Sequence, residues 1–231
     1  MKSLNAVFLL LTLLMPNVLS AQETDWANLN RYRKENAMLK VPAKKEQRVV
    51  FMGNSITEKW GSRDSMFWKG KPYINRGISG QVTSQMLLRF RADVIELQPK
   101  VVVILAGTND IAQNKGPITI KEIAGNIFSM VELAKANQIE VVLCSVLPVV
   151  QYKWRKEIKP AEKVIELNKL LKAYAKKNKL SYIDCHTPMA NEHKGLKKEF
   201  SPDGVHPNYK GYQMMGLLFE KSISKALKKK H

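Results

Sequence analysis

Cysteine is scarce in this chain, whose 231 residues contain only two, Cys144 and Cys185. Two cysteines cannot supply the disulfide framework on which small exported domains depend, and a chain of this length can bury a sizeable apolar core without one. Each cysteine stands in an apolar, strand-like stretch, which favours two buried free thiols. A disulfide bond between them is the alternative if the protein reaches an oxidising compartment.

Metal-binding motifs are also missing from the sequence. The four histidines include no His-Glu-x-x-His motif and no partner at the spacing of a zinc site. We therefore expect neither a metal ion nor another cofactor. His186, His193 and His231 are interpreted as structural or solvated residues.

Acidic residues are few, because 20 Asp and Glu stand against 38 Lys and Arg, which gives a formal net charge of +18. Basic clusters lie at 175–179, 193–198 and 225–230, and aromatic residues do not interleave with them as a platform for stacking bases would require. We therefore expect no nucleic-acid partner and interpret the clusters as solvated surface. A polyanionic substrate or an anionic cell surface is the alternative.

Long apolar runs are confined to the N-terminus. Residues 1–21 combine a basic start at Lys2, an apolar stretch and small residues at the end, which is typical of a secretory signal peptide cleaved after Ser20 or Ala21. No cysteine stands nearby for lipid attachment, and no later segment is apolar enough to span a bilayer. The sequence thus predicts export to the periplasm or the extracellular space, with residues 22–231 forming a single domain.

The remaining chain alternates apolar runs with amphipathic stretches. The runs are continuous and rich in Val and Ile, as in parallel strands that are buried on both faces. Their alternation with helical patterns predicts right-handed crossovers and helices on both faces of a parallel sheet. Strands are predicted at 48–53, 71–77, 100–107, 140–148 and 180–185, and helices at 82–93, around 120–134, around 164–174 and after Pro207, with a leading helix at 23–39.

Polar residues follow the predicted strands. Ser55 follows the first strand, Gly80 the second and Asn109 the third, while Asp203 and His206 follow the fifth by a longer loop. Ligands bind at the carboxyl ends of the strands in open parallel sheets. We therefore expect these five residues to meet at one edge of the sheet.

These residue types suit ester hydrolysis. A serine hydroxyl becomes a nucleophile when an imidazole takes its proton, and the imidazole needs an acceptor on its other nitrogen. We predict that Ser55 attacks the ester, that His206 is the base and that Asp203 orients His206. The oxyanion that develops needs N–H donors, and the backbone N–H groups of Ser55 and Gly80 and the side-chain amide of Asn109 are the candidates.

The order serine, acid, histidine also occurs in α/β-hydrolases, but two features argue against that fold. Their nucleophile motif is Gly-x-Ser-x-Gly, and Thr57 stands here at the second glycine position. Their acid and base normally come from different loops, whereas Asp203 and His206 lie on one short turn.

Four segments resemble, in order, the sequence blocks of the SGNH hydrolases, also called GDSL esterases or lipases. They are Gly-Asn-Ser-Ile at 53–56, Ile-Ser-Gly at 78–80, Gly-Thr-Asn-Asp at 107–110 and Asp-Gly-Val-His-Pro at 203–207. The resemblance covers nearly all of the chain after the signal segment. It implies a flavodoxin-like three-layer α/β/α sandwich with a central five-stranded parallel sheet, and a serine esterase activity.

The same resemblance implies the roles given above for the serine, the glycine, the asparagine and the acid–base pair. One residue departs from the family pattern, because the usual aspartate before the serine is Asn54 here. That position is not a member of the triad. We therefore expect activity to be retained, with changed local hydrogen bonding or a changed pH profile.

The family includes lipases, thioesterases, lysophospholipases and carbohydrate O-acetylesterases. No apolar insertion that could cover a long acyl chain separates the four blocks, so we expect a short acyl group, acetyl first, on a carbohydrate. An acylhydrolase acting on lysophospholipid-like or platelet-activating-factor-like esters is the alternative enzyme, and a catalytically silent carbohydrate-binding protein is the alternative of another class. The predicted pocket residues are Asn54, Trp60, Val149, Trp154 and Val205.

Overall fold

The computed structural model describes residues 25–229. The predicted signal segment, 1–21, therefore lies outside the described residues. A five-stranded sheet forms the centre of the described part, and all its neighbouring strands are parallel. The strands are β1 (Val49–Gly53), β2 (Tyr73–Gly77), β3 (Val101–Leu105), β4 (Glu140–Cys144) and β5 (Ser181–Ile183).

Helices connect these strands and cover both faces of the sheet. Short 3₁₀ turns at Ser65–Phe67, Ile95–Leu97 and Lys198–Phe200 complete the connections. The α-helices are α1 (Arg33–Met38), α2 (Ser55–Arg63), α3 (Thr83–Asp93), α4 (Thr108–Ile111), α5 (Ile120–Ala136), α6 (Ala161–Lys177), α7 (His186–Met189) and α8 (Tyr209–Leu227).

The strand order is β2-β1-β3-β4-β5. The chain runs outward from β1 to β2 and then crosses back past β1 to β3. The order therefore reverses beside β1, and a crevice forms there at the carboxyl ends of the strands. Gly53 pairs in register with both Gly77 and Leu105, so β1, β2 and β3 end level with one another.

The sheet is buried on both faces because alternate residues of each strand point to opposite sides. Val50 and Met52 of β1 join an apolar cluster with residues of α3, α5 and α6. Val49 and Phe51 join a second cluster with residues of α2 and α8. This arrangement is the three-layer α/β/α sandwich with a five-stranded parallel sheet, and the predicted fold class is confirmed.

The predicted leading helix at 23–39 is wrong in its extent. Only Arg33–Met38 is helical, and the segment 25–32 forms turns. The carboxylate of Asp25 accepts the N–H groups of Leu29 and Asn30, and Asn28 has a φ of 55°, through which a right-handed helix cannot continue. Hydrogen bonds to Asp25 therefore stabilise turns in this segment instead of a helix.

Two further findings concern export and redox chemistry. Within residues 25–229, none of the helices is both long enough and apolar enough to cross a membrane. Cys144, at the end of β4, and Cys185, just after β5, are buried free thiols. The structure therefore has the first of the two cysteine arrangements that the sequence left open.

Candidate active site

The five residues predicted for the catalytic triad and the oxyanion site all lie at the carboxyl edge of the sheet. Ser55 is the first residue of α2, directly after β1, and Asn109 lies in α4, directly after β3. Gly80 lies in the loop between β2 and α3, and the turn with Asp203 and His206 precedes α8. The crevice beside β1 thus receives residues from four separate connections.

The sharp turn that presents Ser55 depends on glycines that have no room for a side chain. A Cβ at Gly53 would lie 2.0 Å from the hydroxyl oxygen of Thr57, and one at Gly77 would lie 2.2 Å from the backbone nitrogen of Glu58. Such distances are far inside van der Waals contact, so α2 packs directly on the ends of β1 and β2. The side chain of Asn54 caps this helix by accepting the N–H of Ile56 at 3.1 Å.

Ser55, His206 and Asp203 form one chain of hydrogen bonds. The Oγ of Ser55 lies 3.0 Å from Nε2 of His206, and Nδ1 of His206 lies 2.8 Å from Oδ2 of Asp203. A carboxylate can only accept, so the proton on this side of the ring belongs on Nδ1. Nε2 of the neutral ring then faces the serine hydroxyl as an acceptor.

The turn before α8 is held by its own side chains. Oδ1 of Asp203 accepts the backbone N–H groups of Val205 and His206 at 2.9 and 2.8 Å. Ser201 donates its hydroxyl to the carbonyl of His206 at 2.8 Å and accepts the N–H of Gly204 at 2.9 Å. The backbone of His206 is therefore fixed at both its N–H and its carbonyl, which limits where the imidazole can go.

The same contacts keep Asp203 ionised. Burial raises the pKa of its carboxyl, but the hydrogen bonds from the backbone and ring of His206 and from Val205 N–H lower it by more, so that the pKa lies well below its ordinary value. The carboxylate is thus charged at every pH at which an imidazole titrates. It remains an acceptor for Nδ1 of His206 throughout that range.

The predicted oxyanion donors are the backbone N–H groups of Ser55 and Gly80 and the side-chain amide of Asn109. The N–H of Ser55 stands at the start of α2, where helix geometry leaves amides unpaired and the dipole is positive. Within residues 25–229, the N–H groups of Ser55 and Gly80 meet no protein acceptor. Asn109 donates one amide hydrogen to the carbonyl of Gln81 at 2.9 Å, which fixes the group and leaves its second hydrogen for a ligand.

Arg89, which was not predicted from the sequence, forms hydrogen bonds with residues next to several of these blocks. Its side chain is 0% exposed and donates to the carbonyl oxygens of Gly53 at 3.1 Å and Arg76 at 2.9 Å. It also donates to Oε1 of Gln81 at 2.6 Å and to Asp93 at 2.9 Å. A single guanidinium thus joins the end of β1, the end of β2 and the residue after Gly80.

The sequence did contain a signal for Arg89. Met86, Arg89, Phe90 and Asp93 share one face of α3 by helical spacing, and Met86 and Phe90 are apolar. An oppositely charged pair four residues apart on an apolar face indicates a buried ion pair. The blocks that resemble the family lie at a strand end, in loops and at helix starts, so they contain no part of this face of α3.

Asp110 and Thr108 fix the segment on either side of Asn109. The carboxylate of Asp110 accepts the N–H and the hydroxyl of Thr83, at the start of α3. Burial raises the pKa of Asp110 to about 6, against the lowering effect of these hydrogen bonds. The hydroxyl of Tyr152 lies 2.9 Å from both the hydroxyl and the carbonyl of Thr108.

The predicted pocket residues fall into four groups. Trp60 is 1% exposed and stacks on Phe67 and Tyr212 in the cluster under α8, so its prediction as a pocket residue is wrong. Trp60 lies on the inward face of α2, and the sequence pattern did not reveal which face of this helix points inward. The other four residues are a capping side chain, two buried valines and a half-exposed ring, namely Asn54, Val149, Val205 and Trp154.

Comparison with known proteins gives a consistent family match. The model of the GDSL-like lipase/acylhydrolase family matches residues 51–214. Among solved structures, a GDSL-like lipase from Bacteroides thetaiotaomicron is 51% identical, with a TM-score of 0.86 over 87% of this chain and 100% of the other. A candidate acylhydrolase from Bacteroides fragilis is 50% identical, with a TM-score of 0.87 over 89% of this chain and 100% of the other.

Two further proteins are similar to this chain at lower sequence identity or over a shorter segment. An acetyl-xylooligosaccharide esterase from Geobacillus shares the fold, with 18% identity and a TM-score of 0.64 over 80% of this chain and 96% of the other. An uncharacterized lipoprotein of Bacillus subtilis, YqeF, is 31% identical over 81 residues, which are 34% of this chain. The chain thus spans about a third, 33%, of the length of that curated relative.

Proposed function

Because the chain belongs to the GDSL-like lipase/acylhydrolase family, we propose that it is an exported serine esterase that removes short acyl groups, acetyl first, from carbohydrates. The observation that carries the proposal is the hydrogen-bonded series from Ser55 through His206 to Asp203, with unengaged N–H groups beside it. Ser55 is buried, and a buried N–H donor without a partner is costly unless a ligand or water uses it. Gly80 is exposed, so its N–H is open to a ligand. An oxyanion would accept hydrogen bonds from both N–H groups.

The proposed reaction has two steps. In the first, Oγ of Ser55 bonds to the ester carbonyl carbon while its proton passes to Nε2 of His206, and the carbonyl oxygen becomes an oxyanion held by the N–H groups of Ser55, Gly80 and Asn109. The carbon–oxygen bond to the alcohol then breaks, and His206 returns the proton to that alcohol. In the second step a water, deprotonated by His206, attacks the acyl-serine, and the acid leaves as Ser55 regains its proton.

Asp203 has a supporting role in this mechanism. Its carboxylate stabilises the imidazolium that forms when His206 takes a proton, and it keeps the ring in the tautomer that faces Ser55. The low pKa of Asp203 supports this role, because the carboxylate then stays charged during the whole cycle. Asn54, in place of the family's aspartate, caps α2 by accepting the N–H of Ile56, and within the described residues its side chain forms no hydrogen bond with Ser55, His206 or Asp203.

A short acyl group is supported by the sequence, because no apolar insertion that could cover a long chain separates the four blocks. Each methylene that enters an apolar pocket gains about 0.8 kcal/mol, but only up to the depth of the pocket. Export rests on the predicted signal segment, with the lipoprotein relative as a second, weaker support.

Two measurements test the proposal. A fluorophosphonate probe should label the purified protein at Ser55, and Ser55→Ala should lose both the label and turnover. With a series of 4-nitrophenyl esters, kcat/KM should be highest for acetate and should fall steeply by butyrate. Efficiency that climbs to octanoate would overturn the short-chain proposal in favour of a lipid acylhydrolase, and labelling elsewhere with an active Ser55→Ala protein would overturn the assignment of the nucleophile.

A further inference from the structure

An open cavity lies on the side of Gly80 that faces the N-terminal segment. Its volume is about 260 Å³, and Ser79 and Gly80 line it together with Trp26 and Lys115. A second cavity, of about 280 Å³, is also lined by Trp26 and Lys115, with Gly116 and Pro117 on its other wall. Trp26 and Lys115 therefore stand between two hollows, one of which reaches a proposed oxyanion donor.

The backbone around Trp26 is held by buried polar side chains although its indole is 47% exposed. Gln85 donates to the carbonyl of Trp26, and Gln81 donates to the carbonyl of Ala27 at 2.7 Å. Both glutamines are buried, at 4% and 3% exposure. A buried amide is costly unless it is hydrogen-bonded, so these contacts fix the backbone from which the exposed ring projects.

Gln81 also links the segment of Trp26 to the proposed oxyanion donors. Gln81 follows Gly80 directly, and its own carbonyl accepts the amide of Asn109 at 2.9 Å. Its side chain also accepts from the buried Arg89. The backbone that carries Trp26 is thus fixed relative to Gly80 and Asn109.

Lys115 supplies an uncommitted cation beside the ring. It is exposed and forms no ion pair or hydrogen bond within the part of the chain that the structure describes. The carboxylates that line the same two cavities accept hydrogen bonds from other groups: Asp25 from Leu29 and Asn30, Asp110 from Thr83, and Glu122 from Thr119. Within residues 25–229 none of them forms an ion pair with Lys115, so its ammonium is left for an anionic group on a ligand.

We propose that Trp26 and Lys115 form a subsite for the alcohol side of the ester, which binds an acidic sugar residue of an acylated glycan. The apolar face of the sugar ring packs on the indole, and the sugar carboxylate pairs with Nζ of Lys115. The high positive charge of the chain favours the approach of such a polyanion. This subsite rests on the proposed esterase function, since it names the alcohol that the acyl group leaves.

The test compares two acetylated oligosaccharides with a substrate that has no sugar. Acetylated xylo-oligosaccharides with a glucuronic acid branch, the same oligosaccharides without it, and 4-nitrophenyl acetate are hydrolysed by the wild type, Trp26→Ala and Lys115→Ala. Trp26→Ala should lower kcat/KM for both oligosaccharides about tenfold, as truncation of an aromatic binding anchor commonly does. Lys115→Ala should lower only the kcat/KM for the acidic oligosaccharide, by about two- to fivefold, and should weaken its salt dependence.

Controls separate the subsite from the chemistry. Both variants should hydrolyse 4-nitrophenyl acetate as the wild type does, and Leu217→Ala and Lys172→Ala, on exposed faces of α8 and α6, should leave all three substrates unaffected. A second readout needs no turnover: in the Ser55→Ala background, calorimetric binding of the acidic oligosaccharide should weaken when Trp26 or Lys115 is replaced.

The outcomes distinguish the two proposals. If the wild type cleaves 4-nitrophenyl acetate but Trp26→Ala and Lys115→Ala handle the acidic oligosaccharide as the wild type does, the subsite is overturned and the esterase stands. If the wild type cleaves none of the three substrates while the binding losses are measured as expected, the esterase is overturned and the acidic-glycan site stands.

Discussion

Asp203 accepts more hydrogen bonds than the support of one imidazole requires. One oxygen faces the ring of His206, while the other takes two backbone N–H groups of the turn. The side chain therefore shapes the turn as well as orienting the ring. Replacing it should disturb folding and catalysis separately, and pH distinguishes the two effects.

The first prediction concerns Asp203→Asn and stability. Because the folded-state pKa of Asp203 lies below its unfolded value of 3.8, the ionised carboxylate contributes stability above pH 3.8 that is lost as the pH falls toward the folded pKa. The variant should therefore melt at a lower temperature than the wild type at pH 7, and the difference should narrow below about pH 4. Thermal unfolding followed at several pH values measures this, with the exposed Glu192→Gln as a control; a constant difference across pH would contradict it.

The second prediction concerns Asn109→Ala. If the side-chain amide stabilises the oxyanion only in the transition state, its loss should lower kcat by about a hundred- to a thousandfold with little change in KM. Steady-state kinetics on 4-nitrophenyl acetate give both constants, and Asn137→Ala, at the exposed end of α5, is the matched control. A rise in KM at unchanged kcat would mean that Asn109 binds the ground state alone.

At the scale of elements, the site depends on how closely α2 and α3 approach the strand ends. The glycines at the ends of β1 and β2 let α2 pack on backbone, and Arg89 of α3 reaches across to the carbonyls of both strands. The position of Ser55 therefore depends on the packing of α2 against the strand ends. The position of the Gly80 loop depends on the buried guanidinium of Arg89.

The third prediction tests this buried cation. Arg89→Met would leave three acceptors and the Asp93 carboxylate without their donor, and breaking such a buried pair costs about 3 to 5 kcal/mol of unfolding free energy. Arg89→Lys keeps the charge but cannot reach several acceptors at once, so the folded variant should lose kcat more than it raises KM. Urea unfolding and steady-state kinetics measure the two effects.

Arg91→Met is the matched control for this prediction, because it removes an exposed arginine from the same helix. It should be close to the wild type in both measurements. If Arg89→Lys matched the wild type in kcat as well as in stability, Arg89 would have no part in positioning the site.

The sequence predicted the fold and the meeting of the polar residues because both follow from local signals. Continuous Val-rich runs mark buried strands, and residues after parallel strands converge whatever the packing beneath them. Arg89, Trp26 and the inward face of Trp60 were not predicted, because each depends on which side of a helix or turn faces a distant segment. The wrong extent of the leading helix has the same origin, since capping by Asp25 competes with a weak helical pattern.

At the scale of the whole molecule, the last helix is bound to the first third of the chain. The hydroxyl of Tyr212 in α8 donates to the carbonyl of Ile56 in α2 at 2.8 Å, and both are buried. The ring of Tyr212 also stacks on Trp60. Helices α2 and α8, which carry or follow the three residues of the proposed triad, are therefore joined directly.

The fourth prediction tests this contact. Tyr212→Phe keeps the stacked ring but removes the hydroxyl that donates to the Ile56 carbonyl, which should cost about 0.5 to 1.5 kcal/mol of unfolding free energy. Because α2 and α8 then shift more freely, kcat should fall while the core stays intact. Unfolding in urea and turnover of 4-nitrophenyl acetate measure this, and Tyr209→Phe, at the exposed start of α8, is the control. An unchanged stability would show that the hydroxyl is dispensable.

The hydrogen bond between Ser55 and His206 joins residues that are 151 positions apart. Such a long-range contact closes late in folding, because the loop entropy it costs is repaid only when the intervening elements are in place. During refolding, helical circular dichroism should therefore return before ester turnover does. The order of synthesis has the same effect, since a growing chain holds its serine long before its histidine emerges. We therefore expect ester turnover only after synthesis has passed His206 and the turn before α8 has joined the end of β1.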